Sequence, residues 1–140
     1  MILTTDNRDA LLIWAADRTI PGMRWEPNTR AIGVLDPAGG IRAVATYNMF
    51  YDGGCHMHVA SDGSRAWANR GVLRAGFEYP FVQLGLSRLT APIPCDNVAS
   101  QILALKLGFS FEGRLRGYYS GIDAIIFGMT RDECRWIGQE

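Results

Sequence analysis

A mixed α/β sheet with helices on both faces, folded as one domain, is the architecture this sequence predicts. Three observations predict it. "AIGVLD" and "IRAVATYNMF" flank "PAGG", a turn of Pro and Gly between two strand-like runs, which reads as a hairpin. The middle of the chain then alternates strand-like and helix-like stretches, an order that makes parallel neighbours, while hairpins supply antiparallel ones. Finally, 140 residues with 48% hydrophobic and 20% charged side chains can bury a proper core and do not resemble a disordered tail.

The elements follow in order. Thr4, Thr5, Asp6 and Asn7 are cap-type residues, and Leu11, Leu12, Ala15 and Ala16 follow helical spacing, so the first element reads as a helix closed by "IPG" at 20–22. After the "PAGG" hairpin, "GCHMHVA" reads as a third strand, with Cys55, Met57 and Val59 on one side and His56, His58 and Ala60 on the other. Ser61, Asp62 and Ser64 are cap candidates for a long helix expected to run through Trp67, Val72 and Phe77, shortened or kinked at Pro80. "SRLTAPIP" is a short strand closed by prolines. In "NVASQILALKLGFSFEGRLRG", Asp96 or Asn97 caps a second helix, Val98, Ile102 and Leu105 form its expected inner stripe, Lys106 sits in the last turn and Gly108 stops it. "GRLRGYYS" and "DAIIFGMT" pair as a last hairpin, and "RDECRWIGQE" is a closing turn or tail. The expected order is helix, three strands, helix, strand, helix, two strands.

Composition narrows function. Fourteen Lys and Arg balance fourteen Asp and Glu, whereas a nucleic-acid binder shows a basic excess, so that class is set aside. Cys55, Cys95 and Cys134 are scattered, without a CxxC pair, which fits neither a disulfide framework nor a zinc site. "MILTTDNRDALL" lacks the parts of a signal peptide, and no apolar stretch approaches the ~20 residues that span a bilayer. A reducing, cytoplasmic setting without membrane contact is the expectation.

The second half carries a resemblance. Asn97, Ser100, Lys106-Leu107-Gly108-Phe109, Glu112-Gly113, Arg114 and Arg116, preceded by "YPFVQLGLSRLTA" and followed by "GIDAIIFGMTRDECRW", resemble the GNAT superfamily of acyl-CoA N-acyltransferases. Within it the likeness is to the type that acetylates amino termini of ribosomal proteins. The detailed match covers residues 61–136, and upstream only the order of strands supports it. A single GNAT-like domain, acetyl-CoA as cosubstrate and direct transfer to a primary amine (a small molecule or a protein N-terminus) are what the resemblance implies, with dimerisation through the last hairpin or the tail. The rival is a non-catalytic module on the same fold that uses the cleft for a protein or another small ligand.

The resemblance also implies a site. A CoA pyrophosphate needs backbone N–H groups at a helix mouth, and the family marks that mouth with a glycine-bearing signature. "RGVLRA" at Arg70–Ala75 matches by eye, but counting back from "YPF" sets the signature on Ser64–Asn69, with Arg65 and Trp67 where the family has small residues. Arg65, Ala66, Trp67, Ala68, Asn69 and Arg70 are thus the expected phosphate-binding stretch, and Trp67 must point away from the phosphate or block it. Main chain at Met57, Val59 and Ala60 is expected to face the thioester, with Asn97 on the pantetheine arm, Lys106 at the far end of the same helix and Ser100 near the sulfur. Relatives place a Tyr where this chain has Ala104, which leaves Ser100 as the proton donor. As bases, His58 and Glu112 are candidates. The bland alternatives are a capped helix for Asn97 and Ser100, sheet histidines for His56 and His58, and a surface ion pair for Glu112.

Overall fold

The computed structural model describes residues 1–20 and 23–138. Its elements are β1 (Ile2–Thr4), α1 (Arg8–Arg18), β2 (Arg30–Leu35), β3 (Ile41–Tyr51), β4 (Gly54–Ser61), α2 (Arg70–Glu78), β5 (Arg88–Pro94), α3 (Val98–Leu107), β6 (Ser110–Tyr119) and β7 (Ile122–Thr130). They build one seven-stranded sheet in the order β1-β2-β3-β4-β5-β7-β6. Only β4 and β5 run parallel; every other neighbouring pair is antiparallel. The expected α/β domain with a mixed sheet is what forms.

Alternation along the strands decides which helix covers which face. Ala31, Val44 and Ala60 point to one face and pack against Leu11, Leu12 and Ala15 of α1. Gly33 lets α1 approach closely, since a Cβ there would lie 2.5 Å from a Leu11 methyl. Tyr47, Cys55, Met57 and Leu89 point to the other face, where they meet Phe77 of α2, Ala104 and Leu107 of α3, and Phe109. Helices therefore cover both faces. Among the described residues no helix is long and apolar enough to cross a membrane.

Four details differ from the sequence expectation. A short N-terminal strand, β1, precedes α1 and pairs with β2 through Ile2↔Leu35, Leu3↔Val34 and Thr4↔Gly33. Three residues carry too little periodicity to announce a strand. The helix through Trp67 starts later, at Arg70, because Asn69 caps it and takes up the amide of Val72 at 3.0 Å; Trp67 lies in the turn before it. Pro80 shortens α2 to Glu78, as expected, but the helical run does not stop there. Its missing N–H leaves the Gly76 carbonyl free, the Tyr47 hydroxyl donates to that carbonyl at 2.6 Å, and the chain widens into a π-helical turn over Tyr79–Gln83.

The fourth correction concerns α3. Its buried side is Ala104 and Leu107, with Ser100 and Leu103 half-buried beside them, while Val98, Ile102 and Leu105 are exposed. Because α3 is apolar nearly all round, hydrophobicity alone could not orient it. Gly108, at φ 107°, closes the helix as expected. α1 ends at Arg18, with Thr19 as its C-cap; Pro21 and Gly22 of the expected stop lie outside the described residues.

Candidate functional site

The site begins where the parallel ladder stops. β4 and β5 pair only through Gly54↔Arg88, Cys55↔Leu89 and His56↔Thr90. Beyond that point β4 continues against β3 and β5 against β7, so the two strands part and the inner edge of each is left without a strand partner. The sequence enforces this. Pro92 and Pro94, two apart on β5, cannot donate to a ladder, and their carbonyls are taken up elsewhere: Pro92 by the Tyr119 hydroxyl at 3.1 Å, Pro94 by the Asn97 amide at 2.9 Å and the Gln101 amide group at 3.2 Å. A narrow cleft fills the gap, walled by Met57, His58 and Val59 of β4, Ala91 to Pro94 of β5, Ser100 and Leu103 of α3, and Ile20 after α1.

A second groove, about 1350 Å³ to its open mouth, runs between the β4–α2 loop and α3. It shares Val59, Asn97, Ser100, Leu103 and Leu107 with the cleft, so the two lie side by side along α3. Arg65 and Ala68 line the loop side of the groove, Ala99 and Lys106 the helix side.

The loop leads on in the chain to the mouth of α2, although Ala66, Asn69 and Arg70 do not line the groove. Asn69 occupies the amide of Val72 with its side chain and that of Leu73 with its carbonyl, which leaves the amides of Arg70 and Gly71, at the first two helical positions, without an intrahelical partner. Such a mouth favours an anion. Trp67 does not fill it: only 4% exposed, its ring packs on Val34 and Ala43 beneath the loop, and its Nε1 donates to the Ser61 hydroxyl at 3.1 Å. Arg65 and Arg70 are exposed, and among the described residues neither forms an ion pair.

Where the groove adjoins the cleft, Asn97 does two things. Its side-chain oxygen caps α3 by accepting from the Ser100 amide at 3.1 Å, so the capping role is real, and both residues line the cleft as well. On the α1 face, His58 meets Trp25 edge to face with ring centroids 5.8 Å apart. Burial pushes the His58 imidazole down to about 4, with a small further push from His56. His56 is lowered too, chiefly by burial, with Glu26 acting the other way and Arg88 adding to the fall. Both rings are therefore neutral near pH 7. Across the strand pair they face Thr46 and Asn48, whose buried side-chain oxygens find no hydrogen-bond partner among the described residues.

No family model matches the chain. Among solved structures, a mutant of spermidine N-acetyltransferase SpeG from Vibrio cholerae matches with a TM-score of 0.76 at 14% identity, covering 94% of each chain. Ribosomal-protein-S5-alanine acetyltransferase from Vibrio fischeri matches with a TM-score of 0.63 at 19% identity, over 76% of this chain and 64% of that one. This is the GNAT fold. A curated relative, the uncharacterized N-acetyltransferase YoaA of Bacillus subtilis (strain 168), is 49% identical over 47 residues. That stretch is 34% of this chain and spans about a quarter, 27%, of the relative.

Within the GNAT fold the structure brings together most of the residues singled out by sequence. Met57, His58, Val59, Asn97 and Ser100 meet at the cleft; Arg65, Trp67, Ala68 and Lys106 line the groove beside it. Ala60 points instead into the α1 core, 1% exposed, so any part it plays is through its main chain. Glu112 is not at the cleft. It sits on β6 beside the first residue of β5, and both its oxygens are engaged by the Arg88 guanidinium, one at 3.1 Å. Gly128 lies beneath this pair, and a side chain there would collide with both partners. Glu112 is thus a structural ion pair, and its candidacy as base ends there. Sequence reasoning missed Ile20, Pro92 and Trp25. The spacing of the two prolines was the available signal for one of them.

Proposed function

We propose that this protein transfers an acetyl group from acetyl-CoA to a primary amine by direct attack in a ternary complex. The observation that carries the reading is the pair of adjoining hollows that lead from the loop before α2, along α3, to the gap between β4 and β5. Their two ends match the two ends of an acyl-CoA. The pyrophosphate sits on the amides of Arg70 and Gly71, with Arg65 and Arg70 adding charge-assisted contacts. Main chain of Ala66, Ala68 and Asn69 approaches it from the loop, and the ring of Trp67 stays beneath.

The pantetheine arm runs between β4 and α3, where the side-chain NH₂ of Asn97 is free to donate while its oxygen caps the helix. The acetyl carbonyl lies at the gap against a main-chain donor of Met57 to Ala60, aimed where negative charge develops. The amine nitrogen attacks from the α1 side; a C–N bond forms, the C–S bond breaks, and one amine proton leaves as the thiolate gains one. Ser100 returns that proton to sulfur. His58, neutral and beside the gap, accepts a hydrogen bond from the attacking amine and orients its lone pair. Acceptors of ribosomal N-terminal type remain within this reading through the resemblance of residues 61–136.

A non-catalytic module is the second reading, and one observation favours it: Asn69 already occupies the Val72 amide that a phosphate would share. Thermal unfolding with CoA separates the two. At about 100-fold over its dissociation constant, CoA adds on the order of 2.7 kcal/mol of stability; no shift at millimolar CoA sinks the transfer reading. In the same proteins, Ser100→Ala is expected to lower kcat roughly a hundredfold, the scale of a lost general acid, while the CoA-induced shift stays within a factor of two in apparent affinity. Equal losses in both would make Ser100 a binding residue.

A further inference from the structure

The entrance to the cleft on the α1 face has a composition that the transfer reading does not use. By alternation, Thr90, Pro92 and Pro94 of β5 share the face of His56 and His58, because Leu89 and Ala91 pack into the opposite core. The acceptor side is therefore walled by Ile20, His58, Pro92 and Pro94, with Thr19 at the end of α1 and Trp25 against the His58 ring. Among the described residues no Asp, Glu, Lys or Arg lines the cleft. Asp9, Asp17 and Glu26 line a neighbouring groove that shares no residue with the cleft and meets this wall at Trp25. Glu26 is moreover held there by the Met49 amide at 2.8 Å.

We propose that the acceptor is a monoamine with an apolar body, such as an arylalkylamine, and not a polyamine. The inference rests on the acetyl-transfer reading. A single ammonium loses its proton on entering an uncharged wall, because desolvation favours the neutral amine, and the free base is the form that attacks. The apolar body then packs on Ile20, Pro92 and Pro94. A polyamine brings further ammonium groups that do not react. Those groups stay charged, and without a carboxylate in the cleft lining their desolvation there is not offset. The neutral His58 fits the same picture: burial pushes its imidazole well below its usual range, so it adds no charge to the wall.

The test is steady-state thiol release by the purified full chain with acetyl-CoA and, in turn, 2-phenylethylamine, spermidine and a short peptide with an N-terminal alanine. The expected result is a kcat/KM for 2-phenylethylamine at least tenfold above that for spermidine and above that for the peptide. A second variant guards the interpretation: Ile20→Glu places a carboxylate on the wall and should narrow the ratio toward spermidine. Equal or better use of spermidine, or preference for the peptide, overturns the inference and leaves acetyl transfer standing. Release with none of the three overturns it too, and the CoA-induced thermal shift then decides whether the acyl-CoA reading falls with it.

Discussion

Trp67→Ala lowers the stability of the fold by about 3–5 kcal/mol, the usual range for emptying a large aromatic site in a core. The indole is 4% exposed and packs with Val34 and Ala43, against partly buried Val59, Val72 and Leu73, so little can collapse into the space it leaves. At about 3 °C per kcal/mol for a domain of this size, the midpoint of thermal unfolding should fall by roughly 10–15 °C. Trp67→Phe keeps most of the packing and loses the Nε1 hydrogen bond to Ser61, a loss of about 1 kcal/mol. The pair also separates anchor from obstacle. As an anchor, Trp67 fixes the loop that delivers Arg70 and Gly71 to a phosphate, so the CoA-induced shift shrinks in the alanine variant and returns in the phenylalanine one. An obstacle would behave the other way, with tighter CoA binding once the ring is gone. A loss below about 1 kcal/mol in Trp67→Ala would show that the indole is not part of the core.

What the sequence could and could not say follows from how each residue earns its position. The hairpin at "PAGG", the alternation in "GCHMHVA" and the Gly108 stop are local signals with a local cause, and each formed as read. The orientation of α3 was not local. Val98, Ile102 and Leu105 are at least as apolar as the buried Ala104, and only the position of β5 and of Phe109 decides which side turns inward. Glu112 illustrates the same limit: nothing near it in the chain announces Arg88, which reaches it across β7. By contrast, the placing of Trp67 was half legible, since a ring at a helix mouth had either to turn under the loop or to block it. The gap beside Met57 to Ala60, implied by the family resemblance, also had a signal in the residues themselves. Two prolines at alternate positions of a central strand cannot both face a ladder, so Pro92 and Pro94 marked the side of β5 where a neighbour is missing.

Acid should act on this protein through His58 before it acts on its carboxylates. The folded imidazole sits at about 4, against an ordinary value of 6.5, because its burial penalises the charged ring. Well above pH 6.5 the ring is neutral whether the chain is folded or not, and it contributes nothing to the pH dependence. As pH falls from 6.5 toward 4, the unfolded chain takes up a proton that the folded ring refuses, and the native state loses stability throughout that window. Each pKa unit corresponds to about 1.4 kcal/mol, so the full loss is on the order of 3 kcal/mol. His56, lowered in the same direction, adds to it. The carboxylates act later. Asp36, Asp62, Asp123 and Glu133 are all held below their usual values by hydrogen bonds, so the stability they lend is lost only as pH falls below their ordinary range. Urea unfolding at a series of pH values should therefore show a slope between 6.5 and 4 that flattens in His58→Leu and leaves the steeper fall at lower pH in place. Identical slopes in the two proteins would mean that His58 titrates in the fold as it does in the unfolded chain, and that burial does not hold the ring neutral.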